Sequence, residues 1–293
     1  MKKTTDQNWL LQLAAKTARL FPAPVKKALY RLGPLTQGLR TALNRAAPHG
    51  LAVVKIAAGE LAGFFMELDL QQEKDYWLGT YEPELQAAVR DWVQPGWTAY
   101  DLGANIGFVS LLLGRAVGPQ GYVLAVEALP GNVNRLTRNV ELNELGGIVE
   151  VLPAAVTNQD GPVTFLVGPS GGMGKADGSA GRELDYEERI TVPGISLDAQ
   201  VYASGRAAPQ VIKIDIEGGE VLALPGMQRV LREARPILFI ELHGEQAASL
   251  VWHTLQDLNY TIHQMTGGYP VVPHLDDLDW KSYLVAVPEK AGR

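Results

Sequence analysis

Apolar runs and segments of helical periodicity alternate along the chain from residue 96 onward. Short apolar runs predict strands over 98–102, 122–127 and 148–152, and a 3.6-residue apolar repeat predicts helices over 108–117 and 132–142. Strands that alternate with helices in this way build parallel sheets with helices on both faces. The pattern therefore predicts an α/β protein with a doubly wound, mostly parallel sheet.

Two denser apolar runs, 210–216 and 236–242, are typical of central parallel strands that are buried on both faces. A helix over 246–258 follows them, and the runs at 260–265 and 283–287 are predicted to be late edge strands. The sheet is thus expected to take strands from most of the chain after its first third.

The pattern is different before the alternation begins. Apolar positions predict a strand hairpin within 51–70, and Pro83 suits the first turn of a helix over 84–93. We therefore expect residues 51–95 to form a lead-in that packs on a larger domain formed by residues 96–293.

Residues 168–181 interrupt this domain with a run rich in Gly, Ser and Ala, between predicted strands at 163–167 and 189–192. The composition predicts a loop outside the core, which is either a mobile lid over a site or the tip of a long hairpin. The run is not a P-loop, because Pro169 stands where that motif needs its first glycine.

Residues 1–50 carry nine Lys or Arg and a single acid, whereas the whole chain has 26 basic and 32 acidic residues. Apolar residues recur on one helical face at Trp9, Leu13 and Leu20, so we predict a basic helical N-terminal extension. Two interpretations stay open: a helix attracted to anionic lipid at a membrane surface, and a helix for packing or self-association. The segment lacks a signal-peptide pattern, so we expect a cytoplasmic protein that is, under the first interpretation, peripheral to a membrane.

Composition narrows the candidate chemistry. The chain has no cysteine, which excludes a disulfide scaffold, a zinc–cysteine site and a thiol nucleophile. Beyond its basic extension the chain is acidic and lacks a basic groove with interleaved aromatic residues, so we expect no nucleic-acid partner. Carboxylates, histidines and glycine-containing turns are therefore the features that can form a site.

The turn after the first predicted strand reads Asp101-Leu-Gly103-Ala-Asn105-Ile-Gly107, at the sheet edge where open α/β sheets bind ligands. A dinucleotide fingerprint would need glycine in place of Asn105 and Phe108, and an acid before the turn repels phosphates. A cationic cofactor without phosphate fits this turn better. S-adenosylmethionine (SAM), which carries a sulfonium group, is such a cofactor.

Glu127 ends the second predicted strand, where a carboxylate can accept hydrogen bonds from both hydroxyls of a ribose. Enzymes that bind NAD share this acid, so by itself it indicates a ribose but not a particular cofactor. Together with the preceding turn, it favours SAM.

Several segments together resemble the FkbM family of methyltransferases. They are the run 101–108, Glu127 with Asn132 and Asn143 downstream, Ser196-Leu-Asp198, Lys213-Ile-Asp-Ile-Glu-Gly-Gly-Glu220, Glu241-Leu-His-Gly244 and the upstream segment Tyr76-Trp-Leu-Gly-Thr-Tyr-Glu-Pro83. The resemblance covers roughly residues 55–290, and segment 213–220 is its most specific part. Ala128 departs from the family, which usually places proline after the ribose-binding acid, and Pro130 follows two residues later.

The resemblance implies a Rossmann-like class I methyltransferase fold and SAM-dependent methyl transfer to a hydroxyl, often of a sugar, a glycan or a polyketide-type product. It also implies, by position, which residues contact SAM: Tyr81, Glu82, Asp101, Gly103, Ala104, Asn105, Gly107, Glu127, Ala128, Asn132 and Ala155. In this group Tyr81 and Glu82 would cover the methionyl end, and Ala155 would flank the adenine.

Four ionisable residues follow the two densest apolar runs, Asp215 and Glu217 after the first and Glu241 and His243 after the second. If these strands are neighbours, the four side chains converge beside the sulfonium. Two mechanisms stay open: His243 or an adjacent carboxylate is the general base, or the four residues supply ligands for a divalent ion that acidifies the acceptor hydroxyl. Glu220, after two glycines, is interpreted as a first-turn helix acid.

Two other functions could use the same fold. A non-catalytic regulator that binds SAM or a glycan would not need the four ionisable residues. An NAD-dependent sugar-modifying oxidoreductase would need the glycines that the first turn lacks. We therefore predict a SAM-dependent O-methyltransferase that acts on a hydroxyl of a small molecule or glycan.

Overall fold

The computed structural model describes residues 49–168, 173–181, 185–186 and 188–289. The predicted basic helical extension thus lies, except for its last two residues, outside the described residues. Among the helices of these described ranges, none is long and apolar enough to cross a membrane.

Strands and helices alternate through most of the described chain. The strands are β1 (Leu51–Lys55), β2 (Phe65–Asp69), β3 (Thr98–Leu102), β4 (Tyr122–Glu127), β5 (Val149–Pro153), β6 (Ala155–Val156), β7 (Gly161–Val167), β8 (Gly174–Ala176), β9 (Glu188–Ile195), β10 (Val211–Ile214), β11 (Ile237–Glu241), β12 (Tyr260–Gln264) and β13 (Tyr283–Pro288). The α-helices are α1 (Lys74–Leu78), α2 (Pro83–Trp92), α3 (Phe108–Val117), α4 (Pro130–Leu142), α5 (Leu197–Tyr202), α6 (Glu220–Ala223) and α7 (Glu245–Asp257).

The central sheet has the strand order β12-β13-β11-β10-β3-β4-β5. Its strands run parallel except β13, which pairs antiparallel with both β11 and β12. Successive residues of β3 alternate between two cores on opposite faces, with Ala99 in one and Tyr100 and Leu102 in the other. The predicted doubly wound, mostly parallel sheet is therefore confirmed.

The prediction of two late edge strands is wrong for β13, which lies between β11 and β12 rather than at the edge. Leu284, Val285 and Ala286 are fully buried, because β13 carries apolar side chains toward both faces of the sheet. The strand that comes last along the chain therefore contributes to the interior of the sheet.

A second sheet, in the order β6-β9-β7-β8, lies beside the central one. The prediction that residues 168–181 stay outside the core is wrong for residues 174–176, which form β8 and pair with the end of β7. Lys175 and Ala176 are buried there, and a Cβ on Gly174 would lie 2.5 Å from the Leu166 carbonyl oxygen. The described part of this segment is thus held by close packing.

The hairpin of β1 and β2 is fixed to α4 by asparagine side chains. Asn139 Oδ1 accepts from the Glu67 N–H at 2.7 Å, and its Nδ2 donates to the Ile106 carbonyl at 2.8 Å. Asn143 bonds both backbone groups of Phe65 in the same way. The lead-in is therefore attached to the helix that begins directly after the end of β4.

Candidate cofactor and catalytic site

A cleft opens at the carboxyl ends of β3, β4 and β10, where the strand order reverses. It has about 880 Å³ of empty space, a volume that includes open solvent. Sequence-predicted residues that line it are Tyr81, Gly103, Ala104, Asn105, Glu127, Ala128, Asn132, Ala155, Asp215 and Glu217. The turn after β3 and the end of β4 thus meet the end of β10 around one space.

The turn after β3 is built on positive φ angles. Gly103 has φ +75° and Asn105 has φ +50°. A Cβ on Gly103 would lie 1.9 Å from the Asp215 carbonyl oxygen, so only glycine permits this contact between the two turns. The glycine therefore brings the end of β10 against the end of β3.

Most backbone N–H groups of this turn donate hydrogen bonds to other groups of the protein. Gly103 and Ala104 both donate to the Val126 carbonyl oxygen, at 3.0 and 2.9 Å. Asn105 donates to Glu127 Oε2 at 2.8 Å, and Gly107 donates to the Ala104 carbonyl oxygen. These groups are unavailable to a pyrophosphate, which agrees with the interpretation of the turn from its sequence.

Glu127 is 7% exposed and faces the cleft from the end of β4. Its carboxylate accepts the N–H groups of Asn105 and Leu129 and, at 3.4 Å, the Asn132 side-chain amide. Burial raises the pKa of Glu127, and these hydrogen bonds oppose the rise. The side chain is thus fixed in one orientation, with acceptor capacity left for a ligand hydroxyl.

Three aromatic rings form one wall of the cleft. Tyr76, Tyr81 and Phe108 all line it, with ring centroids 4.3 to 5.4 Å apart. Aromatic faces attract a cation such as a sulfonium. Sequence reasoning included Tyr81 but missed Tyr76 and Phe108, although both lie within the quoted motif segments.

Asp101 and Gly107 do not line the cleft in this structure. Asp101 is fully buried beneath the turn, where Ser110 Oγ donates to it at 2.6 Å and Lys213 Nζ lies 3.2 Å away. Lys213 and Asp101 are cross-strand partners in the β10–β3 ladder, so the strand register brings them together. The sequence predicts that Asp101 faces the cationic part of the cofactor. In the structure, Asp101 instead contacts Lys213 inside the protein.

Close packing explains why a glycine stands at position 107, which its place in the motif does not reveal. A Cβ there would lie 2.5 Å from Leu136 Cδ1, and the residue has φ +95°. Gly107 thus allows α3 to begin closely packed against α4.

The ends of β10 and β11 bring together the four ionisable residues, as expected for neighbouring strands. His243 Nε2 lies 3.1 Å from Glu241 Oε1, 3.9 Å from Asp215 Oδ1 and 3.8 Å from Glu217 Oε2. One ligand atom each from Asp215, Glu241 and His243 lies within 4.8 Å of the others, so this trio has the spacing to hold a metal ion.

Proton affinities in this cluster depart from their ordinary values. Burial lowers the pKa of His243, but its contacts with Glu220 and Glu241 outweigh burial and raise the pKa to about 10. Burial raises the pKa of Asp215 to about 6 against the opposing effect of Lys213.

Glu82 directly precedes α2, with φ +41°, and lies at a smaller cavity beside the main cleft. This cavity is small, with about 210 Å³ of empty space that includes open solvent, and it is also lined by Asp215, Glu241 and Tyr283. Burial, together with the nearby Asp215 and Glu241, raises the pKa of Glu82 to about 7. Because Asp215 lines both spaces, the small cavity adjoins the main cleft at this carboxylate.

Sequence reasoning missed two partners of the cluster. Glu220 is 1% exposed, and its Oε1 lies 3.5 Å from His243 Nδ1, so this first-turn helix acid also faces the cluster. Lys281 Nζ contacts Glu241 Oε1 from the segment before β13. Glu220 is the last residue of the motif segment 213–220, and this position could have indicated its role, whereas no sequence signal points to Lys281.

Comparison with known proteins gives related methyltransferases. The family model described as "Methyltransferase FkbM domain" matches residues 101–262. The hexuronic acid methyltransferase AglP of Haloferax volcanii is 27% identical over 145 residues, which are 50% of this chain and 55% of that protein. The chain therefore spans about half the length of this curated relative.

Solved structures of low identity also match. The methyltransferase FkbM from Methylobacillus flagellatus is 19% identical with a TM-score of 0.44, over 74% of this chain and 53% of that one. An O-methyltransferase from Bacillus cereus in complex with SAH is 14% identical with a TM-score of 0.42, over 70% of this chain and 78% of that one.

Proposed function

Because this chain belongs to the FkbM family of methyltransferases, we propose that it transfers a methyl group from SAM to a hydroxyl of a sugar, a glycan or a polyketide-type acceptor. The observation that carries the proposal is the junction at Asp215, where a cleft with a fixed carboxylate for ribose meets a cavity lined by carboxylates. A cofactor in the cleft and the hydroxyl of an acceptor in the small cavity would have their reacting atoms side by side.

The residues of the cleft fit SAM. Glu127 would accept ribose hydroxyls, the turn at Gly103 and Asn105 would lie along the methionyl portion, and the apolar side chains of Leu129 and Phe165 would enclose the adenine. SAM supplies a methyl group on a sulfonium, which an oxygen nucleophile can displace from sulfur.

Another part of the cleft fits the cationic part of the cofactor. Tyr76, Tyr81 and Phe108 present aromatic rings, and Asp215 and Glu217 present carboxylates to the same space. Both kinds of group favour a cation over a phosphate. This is why SAM fits the cleft better than a dinucleotide does.

The acceptor hydroxyl would enter the small cavity beside Asp215. There the carboxylates of Asp215 and Glu82 would orient the hydroxyl and take its proton as its oxygen bonds to the methyl carbon. Lys213 Nζ lies 3.6 Å from Asp215 Oδ2, and His243 Nε2 lies 3.9 Å from Asp215 Oδ1. These two contacts would keep the Asp215 carboxylate aligned with the acceptor hydroxyl.

Methyl transfer from labelled SAM to a panel of neutral sugars, hexuronic acids, glycans and polyketide-type alcohols tests the proposal. We expect label in at least one hydroxyl acceptor and formation of S-adenosylhomocysteine in equal amount. A chain that binds SAM but labels no member of the panel, while a nitrogen or carbon acceptor is labelled, would contradict transfer to oxygen.

A further inference from the structure

The charged cluster at the ends of β10 and β11 contains a mixed set of metal-ligand groups. We propose that Asp215, Glu241 and His243 form a binding site for a divalent transition-metal ion. The role of this ion in catalysis rests on the proposed methyl transfer, since an ion there would lie beside the acceptor cavity. The metal site itself is inferred from the geometry of the cluster.

The distances suit a shared ion. Ligand atoms about 2.1 Å from a common metal lie at most about 4.2 Å apart. His243 Nε2 is 3.1 Å from Glu241 Oε1 and 3.9 Å from Asp215 Oδ1, and all three ligand atoms lie within 4.8 Å. A side-chain adjustment of less than about 1 Å therefore completes the set.

Glu220 supplies a second and independent observation. Its carboxylate is 1% exposed, contacts His243 Nδ1 through Oε1, and has no hydrogen-bond partner at Oε2 among the described residues. A metal-binding histidine commonly has a carboxylate on its other ring nitrogen, which fixes the ring and directs the free nitrogen at the metal. Glu220 holds His243 in this way, with Nε2 toward Asp215 and Glu241.

The charge of the cluster also favours a cation. Among the described residues, carboxylates around the junction outnumber the lysines there: Asp101, Asp215, Glu217, Glu220 and Glu241 contact Lys213, Lys281 and the imidazole of His243, which is neutral when it binds a metal. Burying carboxylates that lack full compensation is costly. A divalent ion would supply the missing charge.

The ligand types indicate which ions suit the site. Calcium and magnesium prefer oxygen ligands, whereas an imidazole with two carboxylates suits ions such as Mn²⁺ or Zn²⁺. An ion at this position could polarise the acceptor hydroxyl and make its proton easier to remove. Glu82, which lines the same small cavity without belonging to the ligand trio, is then placed to take that proton.

Lys281 gives the proposal an unusual consequence. Its ammonium contacts Glu241 Oε1, and its side chain is 44% exposed, so it is a cation that an incoming metal ion can displace. We therefore expect Lys281→Met to bind Mn²⁺ more tightly than the wild type. Lys55→Met, at an exposed lysine on β1, is the matched control and should leave the affinity unchanged.

The test measures metal binding to the full chain after treatment with EDTA and dialysis, by electron paramagnetic resonance for Mn²⁺ and by calorimetry for Mn²⁺ and, separately, Zn²⁺. We expect one ion per chain, and an affinity about 10–100-fold lower in Glu220→Gln, whose carboxylate acts through His243. His243→Ala should abolish binding, while His253→Ala, at an exposed histidine of α7, should not. Thermal melting checks that each variant is folded.

Two outcomes would overturn the metal site: a wild-type chain that binds neither ion in a 1:1 ratio, or equal affinities in the wild type, Glu220→Gln and Lys281→Met. SAM binding measured in the presence of EDTA separates this inference from the proposed function. A chain that binds SAM but no metal loses only the metal site. A chain that binds the metal but not SAM loses the proposed methyl transfer instead.

Discussion

The two sides of the cleft are built by different means. On the side of β3 and β4, the main chain fixes the site: Glu127 accepts backbone N–H groups of Asn105 and Leu129, and the turn N–H groups bond internally. On the side of β10 and β11, side chains contact other side chains, as in the group around His243. The first side therefore provides a fixed shape, and the second provides charges that can exchange partners.

Because of this difference, we expect the first side to serve cofactor binding and the second side to serve the chemical step. A shape fixed by the main chain costs no reorganisation when a cofactor enters. Side-chain contacts in the charged cluster can change when a proton, an acceptor or an ion arrives. We therefore expect substitutions on the first side to affect cofactor binding or folding, and those on the second to affect turnover.

The largest effect is expected at the contact between the two sides. Gly103→Ala places a Cβ 1.9 Å from the Asp215 carbonyl at φ +75°, so it should lower the free energy of unfolding by about 3–5 kcal/mol and abolish SAM binding. Gly205→Ala is the control, because its φ is +74° but nothing lies within 4 Å of a Cβ there, and it should cost about 1–2 kcal/mol. Urea unfolding measures both, and equal losses would show that the close contact does not matter.

Asp215→Asn should separate turnover from binding. The variant keeps the shape of the side chain but removes its charge, so we expect turnover to fall by about 10²–10⁴-fold. The dissociation constant of SAM should rise by less than about tenfold, because the proposed contacts of SAM with Glu127 and the turn are unchanged. Single-turnover kinetics and calorimetry measure the two effects, with the exposed Asp257→Asn as control. Loss of SAM binding equal to the loss of turnover would contradict the division between the two sides.

Glu127→Gln should show the opposite behaviour. Hydrogen bonds to a charged group contribute about 1.5–3 kcal/mol, so SAM affinity should fall by roughly 10–100-fold. Turnover at saturating SAM should change by less than about threefold, since the charged cluster is intact. Glu141→Gln, at an exposed position of α4, is the control. A variant that saturates normally but turns over slowly would place Glu127 in the chemistry instead.

The smallest effect on the site is expected from Ser110→Ala. The change removes the 2.6 Å hydrogen bond to buried Asp101 and should lower stability by about 1–3 kcal/mol. SAM affinity should change by less than about threefold, because Asp101 lies behind the cleft. Chemical denaturation and calorimetry measure these effects, with Ser249→Ala, at a half-buried position of α7, as control. A large loss of SAM affinity would indicate that Asp101 acts on the cofactor directly.

The same contrast explains how much could be predicted from sequence. The turn at Gly103 and the end of β4 at Glu127 are local features, because strand ends, glycines and an acid at the end of a strand are read from neighbouring residues. The parallel sheet followed from apolar periodicity alone. These parts of the fold and of the cleft were therefore accessible from the sequence.

Long-range features were not accessible in this way. The position of β13 inside the sheet depends on pairing with β11 and β12, which no local pattern specifies. Lys281 reaches Glu241 only because of that pairing, and Asp101 faces Lys213 because of strand register. The electrostatic partners of the site thus come from tertiary structure, while its backbone turn comes from local sequence.

The measurement that tests the central claim most directly is equilibrium binding of labelled SAM to the full chain, with S-adenosylhomocysteine and NAD as competitors. We predict one SAM per chain, competition by S-adenosylhomocysteine, no competition by NAD, and weaker binding in Glu127→Gln. Competition by NAD, or SAM binding that is the same in the wild type and Glu127→Gln, would contradict the assignment of this cleft to SAM.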